Sequence, residues 1–200
     1  MTVTAPALAL AGLLALGGPS YGGAAADTLQ GPGAAVPYVA QGPLLCGGAS
    51  AAMVERYWGA LGVYADDYAH LVTRPAGIRT GALAGALSER GFGVNVLEDD
   101  PAAALAWVRD GVPVIALLES GDRTYHYVVV VAAGPDRVRY HDPIRAPGIT
   151  VDRAAFEDRW APTGHWAMIA LPMRQSAGAG PGDEAGDGPP GDPGAAGPGA

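Results

Sequence analysis

The stretch VPYVAQGPLLCGGASAAMVERYWG, Val36 to Gly59, decides how the rest of the chain is read. It passes from a Gly/Pro-containing approach into a helical pattern, with Ala49, Ala52, Met53 and Tyr57 at helical spacing and Glu55 and Arg56 off that face. A helix is expected from about Gly48 to Trp58. Cys46, the only cysteine of the chain, sits just ahead of it. One cysteine cannot form an internal disulfide and is too few for a thiolate metal cage, so Cys46 is either an inert buried residue or a reactive thiol.

Its position favours reactivity. At a helix start the backbone N–H groups are unpaired and the helix dipole is positive, conditions that lower a thiol pKa. Gly47 and Gly48 allow a tight entry and a close approach of a substrate backbone. A thiolate there can attack a carbonyl, given a base and a donor for the oxyanion. Gln41, five residues earlier, offers its amide N–H₂ as that donor together with the backbone N–H of Cys46.

Further along, Asp66 to Leu71 reads as a short helix and Thr80 to Gly91 as another, with Thr at its start and Gly at its end. Asp100-Pro101 opens a third, with Asp as N-cap, Pro at the first turn and Gly111 past the end. Then the pattern turns extended. VPVIALL (112–118) reads as a strand covered on both faces, YHYVVVVAA (125–133) and RVRYHDP (137–143) as a hairpin around Gly134-Pro135-Asp136, and HWAMIALP (165–172) as a last strand after a short helix from Asp152. Helices first and an antiparallel sheet second define an α+β class.

The base must be one of four histidines, His70, His126, His141 and His165. A turn centred on Gly134 sets His126 opposite Asp142, Val128 opposite Tyr140 and Val130 opposite Val138, with these residues facing the Cys helix and His141 and Arg139 facing away. Opposed residues in an antiparallel pair are close enough for an imidazole–carboxylate hydrogen bond. The resulting set is Cys46 as nucleophile, His126 as base, Asp142 as orienter and Gln41 as oxyanion donor. His70 and His165 read as structural, and Asp66-Asp67 and Glu98-Asp99-Asp100 as acids at helix starts rather than calcium ligands. No metal or cofactor is expected.

Gln41, Cys46-Gly47 with AAM and YWG after them, His126-Tyr127-Val128-Val129-Val130 and Asp142-Pro143 resemble the papain-like cysteine peptidases related to those that cut double-glycine bacteriocin leaders. The resemblance spans about Val36 to Pro172. It implies a papain-like fold, with N-terminal helices packed on an antiparallel sheet and the Cys at the start of the first. It also implies the same four roles for Cys46, His126, Asp142 and Gln41. Two departures stand out: Gly48 occupies a position where the family usually has Pro, and the transporter domains of the leader-processing members are not seen, which implies a stand-alone peptidase. Acyl transfer to an amine, as in transglutaminase-like relatives, and a peptide-binding module without turnover are the competing readings.

The ends of the chain have a different character. Gly (31) and Pro (18) are concentrated there. Residues 174–200 are Gly/Pro/Ala/Asp-rich with nothing to bury, and read as a disordered tail. Ala5 to Leu16 is an apolar run too short to span a bilayer, followed by Ala24-Ala25-Ala26; residues 1–26 read as a signal peptide lacking a basic start, which implies export to the periplasm or beyond. Residues 27–35 read as a linker and 36–173 as the peptidase domain. Of the 20 acidic residues, Asp183, Glu184, Asp187 and Asp192 lie in the tail, which leaves 16 acids to set against the whole chain's 12 arginines, scattered singly. No basic stripe exists for nucleic acid phosphates. The expected partner is a peptide or protein substrate, and the expected state a monomer.

Overall fold

The computed structural model describes residues 28–121 and 123–173. The expected signal peptide and tail lie outside the described residues. The first long element is α1, Cys46–Tyr57. A 3-10 turn, Ala65–Leu71, leads to a small ribbon of β1 (Val72–Thr73) and β2 (Gly77–Ile78), then to α2 (Thr80–Glu89). The remaining elements are β3 (Phe92–Leu97), α3 (Pro101–Arg109), β4 (Val114–Gly121), β5 (Thr124–Ala133), β6 (Arg137–Asp142), β7 (Ala146–Asp152), α4 (Arg153–Trp160) and β8 (Ala167–Pro172).

Six strands form one antiparallel sheet in the order β3-β8-β4-β5-β6-β7. Helices cover both faces. On one side α1 and α2 bury Met53, Leu83 and Leu87 against Ile115, Val129, Val131 and Met168. On the other, Leu105 of α3 and Phe156 and Trp160 of α4 pack on Val114, Val128, Val130 and Tyr140. β4 thus sends alternate side chains into two cores, as its uninterrupted apolar run predicts. Asp100 caps α3 by accepting from the Ala103 N–H at 2.9 Å, and Asp67 accepts from Tyr64 N–H at 2.9 Å; both acids do the helix-start work expected of them.

Three expectations need correction. Val128, Val130, Val138 and Tyr140 face α3 and α4, not the Cys helix; the face toward α1 is the odd one, Tyr127, Val129 and Val131. Glu55 is not on a solvent face but 2% exposed, because α1 lies between the sheet on one side and the 65–71 turn and α2 on the other. The hairpin register is also displaced: Val130 pairs with Tyr140 and Ala133 with Val138, with an irregularity between Val130 and Ala132. The offset begins at the turn, which Ala133 and Val138 centre between Pro135 and Asp136 rather than on Gly134, and the bulge takes one residue back off it. Gln30, in the stretch read as linker, pairs with Ala133 through hydrogen bonds of 3.1 and 2.8 Å.

Candidate active site

Cys46 is the first residue of α1, which begins two residues earlier than its pattern suggested. The approach 36–45 ends in a turn closed by Leu45 N–H to the Gly42 carbonyl at 3.2 Å, with Leu44 at φ 64°. The first helical bond runs from Ala49 N–H to Leu45. The N–H groups ahead of Ala49 therefore have no helical acceptor. Gly47 is needed where it stands, since a Cβ there would meet the Tyr127 ring at 3.2 Å. Cys46 is half-buried and opens on a cleft of about 230 Å³ walled by Ile78, Leu117, Tyr125 and Tyr127, with Arg79 at its mouth.

His126, near the start of β5, is 9% exposed. Its Nε2 pairs with Asp142 Oδ1 at 2.7 Å, so the register error left the predicted neighbours together. An even displacement keeps both side chains on one face, with Asp142 diagonal to His126. With Nε2 committed, Nδ1 is the ring nitrogen left for the Cys46 sulfur, and the two side chains are within hydrogen-bonding reach. Burial alone would push the Cys46 thiol up; hydrogen bonds from His126 and from the N–H groups of Tyr127 and Gly47, with the imidazolium charge, outweigh it and hold the thiol below its ordinary value. Burial likewise opposes charge on His126, but its bonds to Cys46 and Asp142 and their negative charge raise its pKa. The two shifts favour a thiolate–imidazolium pair.

Asp142 ends β6 and is 1% exposed. Its Oδ1 also accepts from Ile144 N–H at 3.0 Å, and Arg145 N–H closes the turn on its carbonyl at 3.1 Å. Oδ2 has no hydrogen bond, and Arg145 Nε stands 3.7 Å away as its ion-pair partner. The Asp-Pro turn is strapped to the loop before Cys46. Tyr38 Oη donates to the carbonyls of Asp142 (3.1 Å) and Pro143 (3.2 Å), and Gln41 N–H donates to Pro143 at 3.0 Å. One residue back, His141 Nε2 donates to the Val36 carbonyl at 3.0 Å while its Nδ1 accepts from Gly148 N–H at 2.9 Å. Burial lowers the His141 pKa, and the accepting Nδ1 fits a neutral ring. His141 was weighed from sequence as a base and set aside as facing away, while Tyr38 was not singled out; its place three residues before Gln41 in an otherwise small and apolar loop was the available signal.

Gln41 lies on this strap with its side chain turned along its own loop: Nε2 donates to the Gly42 carbonyl at 3.3 Å, and Oε1 is buried without a hydrogen bond. Its long bond is easily exchanged for a better acceptor. His70 and His165 stand outside this group. A separate cavity of about 390 Å³ behind Tyr38, Arg139 and His141 includes none of Cys46, His126 and Asp142.

A thiol helix laid across an antiparallel sheet, with the imidazole and carboxylate on adjacent strands of that sheet, is the papain-like cysteine peptidase fold. Within that class the chain belongs to the Peptidase_C39 like family, whose model matches residues 34–168. Solved structures agree on the fold. The peptidase domain of Streptococcus ComA, a bifunctional ABC transporter of a quorum-sensing pathway, superposes with a TM-score of 0.60 at 23% identity, covering 69% of this chain and 99% of that domain. A Bacillus anthracis protein described as C39-like gives 0.59 at 19% identity, covering 68% and 94%. A double-glycine-motif protease from an AMS/PCAT transporter, solved with its leader peptide, gives 0.58 at 21% identity, covering 72% and 98%. No curated protein matches the sequence.

Proposed function

We propose that this protein is a cysteine peptidase. The observation that carries the reading is the 2.7 Å bond between His126 Nε2 and Asp142 Oδ1, which leaves Nδ1 for the half-buried sulfur of Cys46. The Cys46 thiolate attacks the scissile carbonyl carbon. Negative charge develops on the carbonyl oxygen, where the Cys46 N–H and the Gln41 amide, released from Gly42, stabilise it. His126 gives its Nδ1 proton to the leaving amine, the C–N bond breaks, and a thioester remains on Cys46. Neutral His126 then takes a proton from water, hydroxide adds to the thioester, and the acid leaves as the thiolate returns. Asp142 holds the ring throughout.

A peptide or protein is the partner class: the AMS/PCAT protease was solved with a leader peptide. The test is incubation of purified protein with a peptide library, with mass spectrometry for products and for a thioester adduct at Cys46. Adduct and cleavage, both absent from Cys46→Ala, support the reading. Peptide binding without adduct favours the non-catalytic module, and amine-trapped products favour acyl transfer. We further propose residues 1–26 as an export signal, tested by the N-terminus of protein recovered from outside the cytoplasm.

A further inference from the structure

The cleft beside Cys46 has a chemical bias of its own. Ile78, Leu117, Tyr125 and Tyr127 line it together with Thr80 and Arg79, so apolar and polar surface both face the cleft. Arg79 is exposed at its mouth, and its side chain makes no hydrogen bond or ion pair with any described residue. Most other arginines here are engaged: Arg90 with Glu55, Arg139 with Thr150, Arg145 with Asp142, Arg153 with Glu157, and Arg159 with the Glu119 carbonyl. The acid on the adjoining strands, Glu119 opposite Tyr125, forms no ion pair with Arg79. A guanidinium with no partner among the described residues, set beside aliphatic and aromatic side chains, attracts a carboxylate and repels a second cation. An aliphatic stem satisfies the walls while a carboxylate tip satisfies Arg79. A glycine leaves both unsatisfied.

Resting on the reading of Cys46 as nucleophile, we propose that this cleft is a side-chain subsite selecting peptides that carry glutamate beside the scissile bond. Glutamate supplies a short apolar stem for Ile78 and Leu117 and a carboxylate for Arg79. The subsite gives the protein a specificity that a glycine-only slot could not have.

Two readouts separate the subsite from the peptidase reading. Binding is measured on Cys46→Ala with labelled hexapeptides of alanine and glycine that differ only at one position, Glu, Gln, Leu or Lys, scanned through the central residues. Hydrolysis of the same peptides is measured with the native protein. Glu is expected to bind about tenfold more tightly than Gln, with Lys weakest, at one position only, and the gap is expected to shrink as salt rises. Arg79→Gln should erase the Glu/Gln difference and Arg79→Glu should favour Lys, while both variants unfold at the same denaturant concentration as the parent. Equal binding of Glu and Lys peptides, no binding of any, or a Glu preference that survives Arg79→Glu overturns the subsite. If the preference appears in binding but no peptide is cleaved, the subsite stands and the hydrolytic reading falls.

Discussion

Helix α1 carries a polar centre at its first residue and another in its last turn, with the buried Ser50 between them. The difference between them separates chemistry from scaffolding. Near the end of the helix, Glu55 accepts from Tyr68 Oη and from Arg90 Nε at 2.8 Å, and Arg90 lies over the Tyr68 ring at 5.4 Å. Burial and the Glu55 charge push the Tyr68 phenol far up. Both carboxylate oxygens are satisfied, so the cluster is closed and ties α1 to the 65–71 turn and to α2. At the start of the helix the set is left open. The sulfur is half-buried, Asp142 Oδ2 lacks a hydrogen bond, and Gln41 Oε1 is buried without one. Under the proposed function, this open end of the helix is where a substrate has still to arrive.

That contrast can be broken by mutation. The largest effect expected is at the open end: Cys46→Ala should abolish cleavage, by at least about 10⁴-fold, with the urea midpoint nearly unchanged. Asp142→Ala should lower kcat/KM by about 10³-fold, since the ring loses its tether while the sulfur remains. Gln41→Ala should cost about 10²-fold, mostly in kcat, if its amide meets the oxyanion only in the transition state.

At the closed end the sign reverses. Glu55→Ala should leave kcat of the folded fraction intact and destabilise the protein by about 3 kcal/mol, read by urea unfolding, because Tyr68 and Arg90 lose a shared buried partner. A large fall in kcat without loss of stability would sink the division of labour.

The smallest effect is a shift in pH. The thiol is held below its ordinary 9.0, so alkylation of Cys46 should set in at lower pH than that of a free cysteine and decline only as the thiolate is protonated. The imidazolium is held above its ordinary 6.5, so acylation should fall on the alkaline side as His126 loses the proton destined for the leaving amine. In His126→Ala the alkylation profile should move to higher pH. An unmoved profile means the sulfur is not paired with the ring.

Much of this site was legible because it is built from local signals: a lone thiol at a helix start, a hairpin with a Gly-Pro-Asp turn, an Asp-Pro at its far end. What escaped the sequence is what depends on neighbours. The turn is centred between Pro135 and Asp136 rather than on Gly134, and the irregularity between Val130 and Ala132 trims that offset to an even one in the far half of the hairpin, which leaves His126 and Asp142 bonded. The buried face of β5 could not be chosen by pattern, since an uninterrupted valine run reads alike from both sides. Strands β3 and β7 were missed because they are the two edges of the sheet, half exposed and interrupted by Gly93, Asn95, Pro147 and Gly148. Glu55 read only as lying off the apolar face, because nothing in a helix's own sequence announces that a second layer covers its outer side.

Gly48 repeats that lesson for anyone wishing to improve this protein. A Cβ at this position would stand 2.6 Å from the Ala65 carbonyl oxygen and 2.8 Å from Tyr68 Cβ, so even alanine forces the 65–71 turn away from α1. Introducing the proline usual in the family would suit the helix start taken alone. In this chain the borrowed consensus residue would pry apart the packing that aims the thiol, so a change chosen to rigidify the molecule would loosen it.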